Sequence, residues 1–151
     1  MSSQNNWTYH AIAGAYAVGL APSVYKFVGL FRASKGKYTN LMPRENLDAL
    51  RSSIPEKTWT RLFRAQCAHL NAMETLPLFA VAMIAGNITK VPVNDLNLIA
   101  AEYVGARILY TALYIGARSE FMSYMRSSVW AWSIALPVYA LVKAGRMASA
   151  E

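Results

Sequence analysis

The sequence predicts an all-α integral membrane protein, a single four-helix bundle occupying residues 1–151. Three observations carry this expectation. Hydrophobic residues make up 55% of the chain and charged residues only 15%, against about 25% charged in soluble domains. Four runs, Tyr9 to Phe31, Cys67 to Ile88, Leu96 to Ile115 and Phe121 to Ala144, reach the ~20 residues a helix needs to cross a bilayer. Polar residues interrupt each run, which suits helices packed on one another better than helices facing only lipid. With their polar ends included, the helices are expected at about 9–31, 60–88, 96–117 and 121–146.

The first run follows Met1 to Asn6, which carries no basic residue, and it is too long for the apolar region of a signal peptide. It reads as a retained helix. Gly14 and Gly19 allow close backbone approach, and Pro22 gives a kink that a bundle tolerates. Lys26, in the last turns, is expected to extend its ammonium toward the interface.

The segment from Ala33 to Thr60 is the largest polar connection. Between Arg32 and Arg64 stand Arg32, Lys35, Lys37, Arg44, Arg51, Lys57, Arg61 and Arg64, against Glu45, Asp48 and Glu56. The second connection, Asn87 to Asn94, holds only Lys90, while the third carries Arg118 and Arg126 with Glu120. The positive-inside rule places the first and third connections in the cytosol. Lys143 and Arg146 run against this scheme. Nucleic acid is not an expected partner, because the cations sit in loops between spans without a binding motif. Within the first connection, Leu47, Leu50 and Ile54 form a short amphipathic turn expected to lie on the membrane. Pro43 fits its first helical position, Glu45 favours its dipole and Pro55 ends it.

The second helix carries the most informative segment, Arg64 to Glu74. Arg64, Cys67, Asn71 and Glu74 fall at i, i+3, i+7 and i+10, one face of a helix. An ionisable side chain at mid-membrane costs about 2.5–3.5 kcal/mol on insertion scales, so such a stripe should face an interior, a partner or a ligand. Pro77 frees the carbonyl of Met73 and bends the helix. Cys67 is the single cysteine and excludes an intrachain disulfide. It reads either as a nucleophile or as a small residue at a helix interface.

Helix three places Tyr103, Arg107, Tyr110 and Tyr114 on one face, with Glu102 beside them. Two readings stand: a ligand-facing stripe, or a packing stripe in which Arg107 pairs with Glu74 or Glu102. Helix four opens with Arg126 and Ser127, followed by Trp130 and Trp132. Arg126 reads as an interface arginine or a site residue, and Ser127 as a cap or its companion. Together these groups describe a polar pocket beside lipid, suited to a small zwitterionic or anionic ligand, since arginines grip carboxylates as a fork. No metal site is expected.

Arg64-Ala-x-x-Ala68-His69-Leu-Asn71-x-x-Glu74, continued by Pro77-Leu-Phe79, resembles the second-helix signature of the MAPEG family. These are the membrane-associated proteins in eicosanoid and glutathione metabolism. The resemblance implies a homotrimer with glutathione as cosubstrate, bound between subunits near the cytosolic face, in the endoplasmic reticulum or an equivalent internal membrane. It implies that Asn71 and Glu74, with His69 and Arg64 in the same motif, hold glutathione. Arg32 resembles a contact to one of its carboxylates, and Arg107, Tyr110 and Tyr114 match the helix-three positions. Arg126 resembles the arginine that stabilises the thiolate, with Ser127 beside it. Cys67 stands where well-studied members carry arginine directly before the Ala-His pair, which leaves Arg64 as the guanidinium on that face.

The implied chemistry is thiolate generation. A free thiol has a pKa of about 8.5, and a nearby cation lowers it. The thiolate would attack a lipophilic electrophile or reduce a hydroperoxide, with an apolar small molecule as substrate and membrane lipid around it. The alternatives are a glutathione-independent isomerase or tailoring enzyme acting on a lipid-like metabolite, and a non-catalytic membrane scaffold.

Overall fold

In the computed structural model, residues 5–150 are described; Met1 to Gln4, part of the flank read above as lacking a leader's charge, and Glu151 lie outside them. Four long helices account for most of the chain: α1 (Thr8–Ala33), α3 (Glu56–Ile88), α4 (Val93–Gly116) and α5 (Glu120–Ala148). A short α2 (Asn46–Ala49) and a 3-10 turn (Arg51–Ser53) interrupt the first connection. The described residues thus hold five α-helices where four were expected. No strand occurs among them.

Three of the helices, α1, α3 and α4, are long and apolar enough to cross a membrane. The fourth expected span, α5, has the length at 29 residues but is not among them. Ser127, Ser128, Ser133, Arg126 and Lys143 dilute its apolar run.

α3 and α4 form the centre of the bundle. α1 packs on both of them from one side, and α5 packs on both from the other. Their shared core joins Ala11 and Ala15 of α1, Phe79 and Met83 of α3, Leu96 and Tyr103 of α4, and Leu136 and Ala140 of α5. Phe79 and Tyr103 stack with ring centroids 3.9 Å apart. Small residues set the helix spacing: a Cβ on Gly19 would run into Met73 and stand 3.1 Å from the Cβ of Ala72. Pro22 and Pro77 lie inside their helices without ending them.

The first connection folds back on the protein rather than spreading on lipid. Leu47, Leu50 and Ile54 are buried with Leu30, Trp59 and Leu62 in a second core. Trp59 Nε1 donates to the carbonyl of Leu47 at 2.9 Å, and Arg51 lies 4.3 Å above the Trp59 ring. Asn46 clamps the loop by donating to Thr39 O at 2.7 Å and accepting from Thr39 N at 3.1 Å. Because Asn46 is the first residue of α2 and Glu45 its cap, Pro43 precedes the helix instead of opening it. Pro55 takes the cap position of α3.

At the opposite end, Lys143 pairs with Asp95 across α5 and α4. That partner explains a cation that the charge asymmetry of the loops alone does not.

Candidate functional site

The polar residues of α3, α4 and α5 converge on Arg107. This guanidinium is only 3% exposed, although it sits mid-helix in an apolar span. Its Nη2 donates to Asn71 Oδ1 of α3 at 2.8 Å, and its Nη1 reaches Ser133 Oγ of α5 at 3.5 Å. Its charge also lies 4.5 Å above the Tyr110 ring, a cation–π contact that strengthens when desolvated. Arg107 Nε, with the hydroxyl of Thr111 one turn on, is buried without a hydrogen-bond partner among the described residues. Neither Glu74 nor Glu102 pairs with Arg107, so the packing reading of that arginine as half of an ion pair gives way to an amide–hydroxyl cradle. Glu102 lines an outer groove of α4 and α5 with Trp132 and Tyr139.

Thr75 and Ser133 extend the cradle. Thr75 donates to Asn71 O at 3.1 Å and accepts from the Tyr103 hydroxyl at 3.3 Å. Ser133 is fully buried and donates to Trp130 O at 2.7 Å. Neither residue stands out in the sequence. The available signal was spacing: Thr75 lies one turn beyond Asn71, and Ser133 two turns beyond Arg126.

Toward the end that carries the basic connection, Tyr110 and Tyr114 meet edge to face at 5.5 Å. Arg126 of α5 lies 4.5 Å above the Tyr114 ring and donates to Ser123 Oγ at 3.1 Å. Cys67, half-buried on α3, lies one turn from Arg64 along the same stripe. Arg64 itself donates to the carbonyl of Ala117, which the α4–α5 connection leaves outside helical bonding. Arg64 and Arg126 line one cavity of 480 Å³ with Arg118, Ser119, Glu120 and Ser123.

One chain thus brings together Arg64, Asn71, Arg107, Tyr110, Tyr114 and Arg126. Four expected residues lie elsewhere. His69 Nδ1 meets Gly19 O of α1 at 2.8 Å, on the face of α3 away from Arg107. Two residues separate it from Asn71, which turns a helical side chain by about 200°. Glu74 is exposed on the outside of α3. Arg32 is exposed at the end of α1 and lines a groove with Lys57 and Arg61. Ser127 is exposed and donates to Ser123 O at 3.2 Å within its own helix.

An apolar surface continues from this region. Two adjoining grooves between α4 and α5, of 610 and 380 Å³, share Glu102 and Trp132 and run from Ser128 to Tyr139.

Among known proteins, the model of the MAPEG family matches residues 4–146. No curated protein and no solved structure matches the chain significantly.

Proposed function

Because the chain belongs to the MAPEG family, we propose that it is a membrane enzyme that activates the glutathione thiolate against a lipophilic electrophile or hydroperoxide. The observation that supports this most is the cavity that Arg64 and Arg126 share with Arg118, whose one lining carboxylate, Glu120, forms no ion pair with either guanidinium among the described residues. Such a cluster of guanidinium groups fits a small ligand carrying carboxylates and an ionisable thiol. Arg126 is the group that holds the sulfur as thiolate, and the Tyr114 ring and Ser123 fix its direction. Arg64 holds a carboxylate. Asn71 acts mainly by positioning Arg107.

Glu74 and Arg32 face outward in the single chain. They join the site only if a neighbouring chain supplies the other half, which favours a homotrimer with glutathione between subunits. In that assembly α5 is the fourth span, and the internal membrane is the endoplasmic reticulum or its equivalent, with the basic connection cytosolic. The apolar substrate lies along the α4–α5 grooves, which begin two residues beyond Arg126. Ser127 enters only by rotating from its present bond to Ser123 O.

Calorimetry of glutathione on the detergent-purified protein, with an absorbance scan for the thiolate, tests the reading. Saturable binding with a thiolate band near neutral pH is the expected result. No binding at millimolar glutathione would overturn it. One observation favours a second reading, a scaffold: Arg107 links α3, α4 and α5 through Asn71 and Ser133, and a buried polar network can specify packing without catalysis.

A further inference from the structure

We propose that the groove between the end of α1 and the start of α3 is a binding site for one anionic phospholipid. Its walls are Val24, Tyr25, Val28 and Gly29 of α1 and Thr58 and Leu62 of α3, and its mouth carries Arg32, Lys57 and Arg61. The cavity measures 540 Å³, and no carboxylate lines it. None of the three cations makes a hydrogen bond or ion pair with another described residue. The nearest acid in sequence, Glu56, accepts from Thr60 instead.

Depth in the membrane decides the occupant. Arg32 closes the apolar run of α1, and Lys57 and Arg61 precede the apolar run of α3 by two to three turns. The three charges therefore stand at headgroup level. Val24 and Val28, exposed at 59% and 37%, continue from them into the hydrocarbon layer. A phosphate ester at the cations with an acyl chain along the valines satisfies both halves, whereas a soluble anion satisfies only the first. Each interfacial cation adds attraction to an anionic lipid surface. The groove opens between α1 and α3 and does not include Arg64, Arg107 or Arg126; Arg32 is the one residue it shares with the proposed glutathione site, so the charge variants that test it are confined to Lys57 and Arg61.

Native mass spectrometry of the detergent-solubilised protein with phosphatidylglycerol and phosphatidylcholine of equal chain length tests it. One phosphatidylglycerol per chain should be retained in preference to phosphatidylcholine. Lys57→Gln with Arg61→Gln should weaken retention roughly 30-fold, and Val28→Trp should weaken it with all charges kept. Lys35→Gln with Lys37→Gln, in the basic connection but outside the groove, should leave it unchanged. Equal retention of both lipids would overturn the proposal, as would equal loss in the two charge variants or displacement of the lipid by inorganic phosphate or glutathione. Retention undiminished in Val28→Trp would assign the cations to a soluble anion instead.

Discussion

Arg107 and Asn71 are joined by a 2.8 Å hydrogen bond between α4 and α3, and the arginine has no carboxylate partner. A guanidinium buried in a span is thus held by an amide, a hydroxyl and an aromatic face. The arrangement leaves its positive charge without a carboxylate, while Arg64, Arg118 and Arg126 line a separate cavity nearer the basic connection.

Asn71→Ala should destabilise the protein by about 2 kcal/mol, the cost of leaving a charged donor short of its acceptor. Reversible unfolding in mixed micelles measures it. Arg107→Met combined with Asn71→Ala should recover part of the loss, because the buried charge leaves with its partner. A simple sum of the two single effects would show that the residues act independently.

Arg126→Ala should remove the glutathione thiolate band at neutral pH and lower turnover by about 10²-fold, the typical effect of deleting one electrostatic stabiliser. Its fold should be intact, since the polar contacts of Arg126 are to Ser123, one turn back in its own helix, and to the Tyr114 ring. Retention of both band and turnover would place the thiolate elsewhere.

His69→Ala should cost about 1 kcal/mol through the lost bond to Gly19 O. Glutathione affinity should be unaltered. A large drop in affinity with unchanged stability would return His69 to the ligand site and require a different rotation of α3.

Gly19→Val should separate α1 from α3, because its side chain meets Met73 and Ala72. Overpacking of this kind costs about 1–3 kcal/mol. Gly14→Ala, with nothing within 4 Å of the added Cβ, should be neutral or stabilising, and thermal melts of the pair separate close packing from general loss of glycine.

Trp59→Phe removes the bond to Leu47 O but keeps the ring. Faster proteolysis within residues 39–54, with the long helices still protected, is the expected pattern. Uniform protection would mean that the apolar contacts of Leu47, Leu50 and Ile54 hold the loop without the tryptophan.

The long helices were legible because length and apolarity are local. α1 at Thr8–Ala33 and α3 at Glu56–Ile88 overrun the expected limits by only a few residues. Their polar ends are helical too, and hydropathy alone cannot mark that. The α3 stripe was legible only in part. Asn71 turns toward α4, yet Glu74, one turn on and nominally on the same face, is exposed. A face about 60° wide is enough for one residue to meet a neighbouring helix and the next to miss it.

The sequence by itself determined the helical class, the spans of α1, α3 and α4, the basic first connection and the family motif. Run length, charge and short spacing are properties of the chain, whatever packs on it. Tertiary structure alone decided that Arg107 lies with Asn71 and Ser133 rather than with a glutamate, that His69 serves α1, and that the loop residues Leu47 and Ile54 bury against Trp59. Each of these depends on the rotation and closeness of two helices or of a loop and a helix. Those are set by how small residues such as Gly19 let backbones approach, and by which polar groups must find partners once they do.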